Sequence, residues 1–295
     1  MSRPLSVETE AAYRACERLA RSHYENFAVA SFLLPPGVRR HMAALYGFAR
    51  GVDDIGDEYE GDRLAALDRW EAHLRGLYGE EERPGGPRPA VFLALGATIR
   101  ACGLPMEPFL RLIEANRMDQ RVSRYRGWED LLEYCTFSAD PVGRLVLRIF
   151  GCTDSSLHPL SDATCTALQL TNFWQDVGRD HEMGRIYLPR EDMERFGVPE
   201  ADLGGRPASR AFRDLIRFEV ERTRPFFERG RELVGRVEGR FRVDLALFSR
   251  GGEAILDAIE GLDYDVLTRR PVLSRGRKLT LLADTLLRHL FGGLP

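Results

Sequence analysis

The chain has 295 residues, of which 44% are hydrophobic and 29% are charged, as is typical of a soluble globular protein. A formal net charge of −3 argues against a nucleic-acid-binding protein, which usually carries a basic patch and a high pI. Five cysteines without paired CxxC spacing indicate free thiols in a reducing compartment. Because no signal-like apolar segment and no long apolar run is visible, we predict a cytoplasmic protein without a membrane span.

Apolar residues at helical spacing predict helices through almost the whole chain. Ser6 is placed to cap the first helix and Pro36 to open the second. The predicted helices span residues 7–23, 36–58, 64–77, 90–101, 108–121, 128–137, 141–150, 163–180, 211–237, 240–262 and 278–290. Residues 79–89, 151–160 and 197–209 are predicted loops, and neither Gly/Pro-rich loop is long enough to link two domains. We therefore predict a single all-α domain.

A stripe of polar residues stands out in the predicted helix at 163–180. Gln169, Asn172, Asp176 and Asp180 recur at steps of three and four, so they share one helical face between apolar flanks. Like charges four residues apart destabilise an exposed helix by roughly 0.2–0.5 kcal/mol, which favours a cation bound between them. A solvated acidic face explains this stripe equally well when it is taken alone.

A second stripe lies near the end of the predicted helix at 36–58. Arg50, Asp53 and Asp57 repeat at steps of three and four, with Asp54 about a quarter turn away. Two facing helices of this kind would present four inward carboxylates, an Asn and a Gln, with Arg50 at the rim. Because all these ligands are hard oxygens, the metal they favour is Mg²⁺, which commonly bridges to substrate phosphates. The two stripes together therefore predict a diphosphate site.

With both stripes placed, the chain resembles the squalene and phytoene synthase family over nearly its whole length. The resemblance is carried by DDIGD at 53–57, QLTNFWQDVGRD at 169–180, GRIYLP at 184–189, YCTFSADPVG at 134–143 and YDVLTRRPVLSRGRK at 264–278. It implies an isoprenoid-synthase helical bundle around a central cavity that holds a prenyl diphosphate.

The resemblance also implies roles for particular residues. Those that would hold Mg²⁺ and ionise the diphosphate are Asp53, Asp57, Asn172, Asp176 and Asp180. Those that would bind the substrate or assist catalysis are Arg50, Tyr134, Gln169 and Tyr264, and the candidate liners of the hydrocarbon cavity are Phe27, Phe48, Val142, Leu145 and Phe173.

Three further features are similar to the hydroxysqualene synthases of bacterial hopanoid biosynthesis. These are HYENF at 23–27 in place of a serine-bearing segment, Gln175 where other members tend to have Arg, and SADPVGRLVL at 138–147. Fewer phosphate partners suit an enzyme that handles one diphosphate. The resemblance therefore implies that presqualene diphosphate is ionised and captured by water to give hydroxysqualene and pyrophosphate, with Mg²⁺ but without NADPH.

Two other functions remain open. One is the condensation of two prenyl diphosphates to presqualene diphosphate, squalene or phytoene; the other is a non-catalytic helical assembly or binding protein, which would not need two intact acidic stripes. The sequence does not separate water capture from hydride capture. Asp140 is interpreted as a helix N-cap in preference to a residue that orients water. His181, next to Asp180, is interpreted as a surface or core histidine.

The basic run at 269–278 is usual for a solvated face, and a contact with diphosphate or with an anionic membrane is the alternative. A C30 hydrocarbon must exchange with a bilayer, so we expect peripheral contact with the inner face of the membrane through the C-terminal tail. Other hopanoid-pathway enzymes are expected partners.

Overall fold

The computed structural model describes residues 5–22, 34–80, 88–204 and 207–294. The helices in these residues are α1 (Val7–Ser22), α2 (Pro36–Asp57), α3 (Arg63–Leu77), α4 (Val91–Cys102), α5 (Glu107–Asp119), α6 (Trp128–Ser138), α7 (Asp140–Ile149), α8 (His158–Glu182), α9 (Arg190–Phe196), α10 (Arg210–Arg236), α11 (Gly239–Gly261) and α12 (Arg275–Leu290). This part of the chain has no β-strand, only an isolated bridge between Arg124 and Ile186. The all-α prediction is confirmed.

Most predicted helix ends agree with the structure to within three residues, and the differences have local causes. Ser6 accepts a hydrogen bond from the Thr9 amide at 3.2 Å, which confirms the first cap. The helix α8 begins at His158, inside the predicted loop 151–160, because a short 3₁₀ helix at Ser155–Leu157 leads directly into it. The helix α9 was not predicted.

The chain divides into two compact units. The first comprises Met1–Arg121 and Arg144–Thr153, and the second comprises Val122–Gly143 and Asp154–Pro295. The single-domain prediction stays a prediction. All five cysteines are free thiols, as predicted. Within the described ranges, no helix is long and apolar enough to cross a membrane.

In the first unit, an aromatic cluster fixes the orientation of α2. Phe48 is fully buried, with its ring centroid 5.0 Å from that of Phe109 on α5 and 5.9 Å from that of Trp70 on α3. Burying an aromatic side chain of this size stabilises the fold by about 1.5–3 kcal/mol. Val52, one turn further along, is also fully buried. Arg50, between these two anchors, keeps a side chain that is 30% exposed.

In the second unit, α8 packs against α10, α11 and α6. Trp174 is fully buried and its indole nitrogen donates to the Thr223 hydroxyl on α10 at 2.9 Å. Close approach of the helices depends on small residues, since a Cβ at Gly230 would lie 2.2 Å from the Thr164 hydroxyl. These contacts bury one side of α8 and leave the other accessible.

Candidate active site

The acidic end of α2 is accessible to solvent. Asp53 and Asp57 are exposed, and Asp57 is the last residue of the helix. Arg50 is paired along its own helix, with Nε 2.7 Å from Asp54 Oδ1 and a terminal nitrogen 3.1 Å from Glu58 Oε1. The structure therefore brings Arg50 to this stripe, but its observed partners are the two acids that the stripe did not include.

Asp53 has a partner on another helix. Asn116 of α5 donates from Nδ2 to Asp53 Oδ1 at 3.2 Å. Desolvation by surrounding protein raises the pKa of Asp53 to about 6; the Asn116 hydrogen bond opposes this rise and the Asp57 carboxylate adds to it.

The glycine of the DDIGD run allows this contact. A Cβ at Gly56 would lie 2.1 Å from Asn116 Oδ1, so α2 and α5 meet at this residue with no room for a side chain. Gln120, one turn after Asn116, donates to the Gly56 carbonyl at 3.1 Å. Gly56 thus lets α5 place its amide side chains against the acidic end of α2.

The polar stripe of α8 also faces solvent. Gln169, Asp176 and Asp180 are half-buried and Asn172 is exposed. The residues that separate them are mostly buried: Leu170, Thr171, Phe173, Trp174, Gln175 and Val177. The predicted helix and its polar face are therefore present, and the structure adds a local irregularity at Asp176. That residue has φ −110° and ψ 15°, so α8 is kinked there.

A cationic side chain stands on Asp176. Arg270 donates from Nε to Asp176 Oδ1 at 2.6 Å and from a terminal nitrogen to Oδ2 at 3.0 Å. This forked geometry is the strongest arrangement of a guanidinium on a carboxylate. Arg179 adds a weaker contact at 3.8 Å. The basic run that the sequence placed on a solvated face therefore supplies a specific partner to a candidate metal ligand.

Gln175 fixes the segment that carries Arg270. Its side chain is buried, and Nε2 donates to the Pro271 carbonyl at 2.5 Å. The sequence analysis interpreted Gln175 as the replacement of an arginine that would bind phosphate in other family members. The structure gives the side chain a task of its own, which is to hold the backbone next to Arg270.

The same segment is constrained before it reaches α8. Asp263 and Tyr264 adopt left-handed φ values of 51° and 59° in the turn after α11. Asp265 then accepts a hydrogen bond from the Thr268 amide at 2.9 Å and another from Arg213 at 3.1 Å. Tyr264 is buried beneath the Arg217 guanidinium, 5.0 Å from its ring centroid. Its observed partner is this arginine.

Aromatic rings pack beside the α8 stripe. Phe173 stacks on Tyr187, with ring centroids 4.0 Å apart and an interplanar angle of 11°. The ring of Tyr134 lies 5.8 Å from that of Tyr187, and Tyr125 lies 5.5 Å from Tyr134. The sequence identified Phe173 and Tyr134, whereas Tyr187 and Tyr125 were missed. The GRIYLP run contained the signal for Tyr187, and nothing local pointed to Tyr125.

The remaining candidate residues have other surroundings. Phe48 is in the core of the first unit, so contact with a hydrocarbon would require its aromatic cluster to open. Val142 is half-buried in the first turn of α7, and Leu145 is fully buried. Phe27 lies outside the described residues. Asp140 accepts a hydrogen bond from Thr166 on α8 at 2.9 Å, a partner that neither interpretation of Asp140 included.

The donor set fits a hard cation that takes few protein ligands. No three of the described His, Cys, Asp and Glu residues converge as a complete metal site. Mg²⁺ normally takes one or two carboxylates and fills its octahedron with water and substrate phosphate oxygens. Each stripe offers accessible carboxylates, and the raised pKa of Asp53 reflects negative charge and desolvation that a cation would relieve.

Comparisons with known proteins place these features in context. Residues 20–277 match the family model of squalene/phytoene synthases. The crystal structure of squalene synthase HpnC from Alicyclobacillus acidocaldarius superimposes with a TM-score of 0.81 at 51% identity, covering 88% of this chain and 97% of that one.

Two curated relatives show how the similarity extends. The hydroxysqualene synthase of Zymomonas mobilis is 35% identical over 91% of this chain and 90% of its own length. The 15-cis-phytoene synthase of Synechocystis sp. is 34% identical over 96% of this chain and 86% of its own length.

Proposed function

We infer the function from one premise: the chain belongs to the squalene/phytoene synthase family, whose members are enzymes with an all-α isoprenoid-synthase fold. On this basis we propose that the protein converts presqualene diphosphate and water to hydroxysqualene and pyrophosphate. The relative in Zymomonas mobilis, a hydroxysqualene synthase, supports this reaction, and the 51% identity with the squalene synthase HpnC supports a product with the squalene skeleton.

We propose that Asp53 and Asp57 on α2, and Asn172, Asp176 and Asp180 on α8, bind Mg²⁺ together with the diphosphate of the substrate. When bound, the metal would act as a Lewis acid that stabilises the departing diphosphate oxygens. Arg50 and Arg270 carry permanently charged, forked donors at the two stripes. On α8, Mg²⁺ binding to Asp176 would free Arg270 to contact diphosphate oxygens. On α2, Arg50 is paired with Asp54 and Glu58, beside the proposed ligands.

The hydrocarbon part of the reaction requires a surface that tolerates a carbocation without reacting with it. The stacked rings of Phe173 and Tyr187, with Tyr134 beside them, offer π faces that attract a cation electrostatically. Their burial keeps bulk water away from this part of α8. In this proposal only a water molecule admitted with the substrate captures the cation.

The observation that most directly supports a single-diphosphate substrate is the setting of Gln175. Where condensing members of the family tend to have an arginine, this side chain is buried and committed to the Pro271 carbonyl. It offers no charge to a second diphosphate. The proposal that water, and not hydride, captures the cation is based on the similarity to a hydroxysqualene synthase. The proposed reaction does not require NADPH.

Condensation of two prenyl diphosphates is the second candidate, and the similarity to the phytoene synthase of Synechocystis sp. favours it. A non-catalytic assembly or binding role is disfavoured because both acidic stripes are accessible. Exposed clusters of like charge destabilise a helix and would have no use in such a protein.

The test is incubation of the purified protein with presqualene diphosphate and Mg²⁺, with and without NADPH, followed by mass spectrometry of the lipid extract. We expect hydroxysqualene in both reactions and no product when Mg²⁺ is chelated. Squalene that appears only with NADPH would show that the cation is reduced by hydride and is not captured by water. Turnover of farnesyl diphosphate alone would favour condensation.

We also propose that the protein acts in the cytoplasm at the inner face of the membrane, next to other enzymes of hopanoid biosynthesis. The substrate is the reason, because a C30 chain leaves and re-enters a bilayer during each reaction cycle.

A further inference from the structure

The C-terminal helix α12 exposes an apolar face. Leu279, Ala283, Leu287 and Leu290 recur at steps of four, four and three, so they lie within one quadrant of the helix. Leu279 is 66% exposed, Leu287 52%, Leu290 74% and the following Phe291 84%. Twelve large apolar side chains are exposed in the described residues, and four of them fall in this short segment, which makes it a patch and not a scatter.

The opposite face of α12 is fixed to the second unit. Arg250 of α11 donates to the Thr285 hydroxyl at 2.9 Å and forms an ion pair with Asp284. Just beyond the helix, Arg242 donates to the Leu294 carbonyl at 2.7 Å. Because these contacts hold the polar side inward, the apolar face is directed outward before any partner binds.

The charge of α12 is opposite to that of the whole protein. Within Arg275–Leu290, four basic residues and one aspartate give a net charge of +3, whereas the whole chain carries −3. Arg275 and Arg277 are exposed and Lys278 is half-buried at the start of the helix. An apolar face with basic residues at its border is the pattern of a helix that lies in a membrane interface.

We propose that α12 is a docking surface for an anionic membrane. The leucine face enters the boundary between headgroups and acyl chains, and Arg275, Arg277 and Lys278 contact lipid phosphates. The helix lies parallel to the bilayer. The charge argues against a second copy of the chain as the occupant, because pairing two such faces would bring together two helices of charge +3.

This docking does not depend on whether the active site hydrates presqualene diphosphate or condenses two prenyl diphosphates. It gives the protein a fixed orientation on the membrane, so that a long-chain substrate can be taken from the bilayer without crossing bulk water.

The test is co-sedimentation of the full chain with vesicles of phosphatidylcholine, with and without phosphatidylglycerol. We expect binding to the anionic vesicles that weakens as salt is added. The triple variant Leu279→Ser/Leu287→Ser/Leu290→Ser should lose affinity on the order of a hundredfold. Arg275→Gln/Lys278→Gln should lose about fivefold for each charge removed.

The matched control is Leu64→Ser/Leu93→Ser, which removes two leucines that are 43% and 37% exposed on α3 and α4. It should bind as the unmodified chain does. Circular dichroism should show all variants folded, because every substituted leucine is exposed. The triple variant should also keep its turnover of presqualene diphosphate in detergent micelles, which separates a failure of docking from a failure of the proposed reaction.

Equal vesicle binding by the triple variant and the unmodified chain would overturn the proposal, as would absence of binding to anionic vesicles. A concentration-dependent dimer that the leucine substitutions abolish, without vesicle binding, would assign the face to a second copy instead.

Discussion

The two acidic stripes look alike in the sequence, yet the structure supports them in different ways. On α2, the ion-pair partners of Arg50 come from the same helix and its cap, four and eight residues away. On α8, the partner of Asp176 is Arg270, 94 residues later in the chain. The arginine of the first stripe is thus paired locally, whereas the arginine on the second comes from a distant segment.

This difference shows where the site can be damaged without touching a candidate ligand. A local pair such as Arg50 and Asp54 survives as long as α2 is helical. The forked pair on Asp176 also requires the turn after α11, the Asp265 contacts and the Gln175 anchor. We therefore expect distant substitutions to affect the second stripe more than the first.

The largest effect should come from the candidate ligands themselves, and here the two stripes should behave alike. Asp53→Asn and Asp176→Asn keep the shape and remove the charge, so each should lower kcat about 10²–10³-fold, as loss of one transition-state contact does. Asp54→Asn is the control on α2, since its exposed pair with Arg50 is worth at most about fivefold. Product formation with saturating Mg²⁺ measures all three.

A loss of similar size in Asp53→Asn and Asp54→Asn would mean that α2 contributes general negative charge and no specific ligand. A loss in only one of the two stripes would confine the chemistry to that stripe.

The second effect should appear only in the α8 stripe. Gln175→Ala removes the donor to the buried Pro271 carbonyl, which should lower the free energy of unfolding by about 1–3 kcal/mol. Because Arg270 then loses its fixed position, Mg²⁺ affinity should also change, by about tenfold or more, as when residues behind metal ligands are replaced. The Mg²⁺ dependence of turnover and denaturant unfolding are the two measurements.

Thr223→Val is the matched control, because it also removes a buried hydrogen bond to α8, the one from Trp174. It should cost similar stability and leave the Mg²⁺ dependence unchanged. If both variants change that dependence equally, Gln175 contributes to general stability and does not position Arg270.

The contrast between the stripes also explains how far the sequence was informative. Helical periodicity predicted the accessible face of α8, because apolar residues such as Phe173 and Trp174, which are buried, lie on other faces of a helix with 3.6 residues per turn. It did not predict the kink at Asp176. Arg270 was visible only as part of a basic run, because a pair separated by 94 residues has no periodic signal.

The first stripe shows the same limit at shorter range. The pairing of Arg50 with Asp54 follows from the four-residue spacing and could have been predicted. The Asn116 contact with Asp53 could not, because it depends on how closely α5 approaches Gly56. The family resemblance supplied the roles of these residues, whereas their partners came from the packing.

Two glycines, one in each stripe, allow a comparison in which the expected changes in the free energy of unfolding are smaller and opposite in sign. Gly56→Ala would place a Cβ 2.1 Å from Asn116 Oδ1, so Asn116 must move and Asp53 loses its hydrogen bond; we expect a loss of about 1–3 kcal/mol in the free energy of unfolding. Gly178→Ala, in α8, has its nearest neighbour at 3.9 Å and should stabilise the helix by about 0.5–1 kcal/mol. Urea unfolding of both variants distinguishes crowded from open helix surfaces, and equal losses would contradict the close approach at Gly56.

The smallest effect should be a pH dependence that belongs to the α2 stripe. The pKa of Asp53 is raised from 3.8 to about 6 in the folded protein, so between these pH values the folded state binds more protons than the unfolded state. The free energy of unfolding of the metal-free protein should therefore fall as pH rises through this window, and Asp53→Asn should flatten that slope. Because the side chain is exposed, solvent screening keeps the change small.

Mg²⁺ should act in the opposite direction, since it binds the ionised carboxylate: stabilisation by the metal should increase toward pH 6 and above. Unfolding curves with Mg²⁺ and with chelator at each pH measure both trends. A metal-free slope that Asp53→Asn leaves unchanged would assign the pH dependence to a different acid. Glu219, whose pKa burial raises to about 8, is the next variant to test.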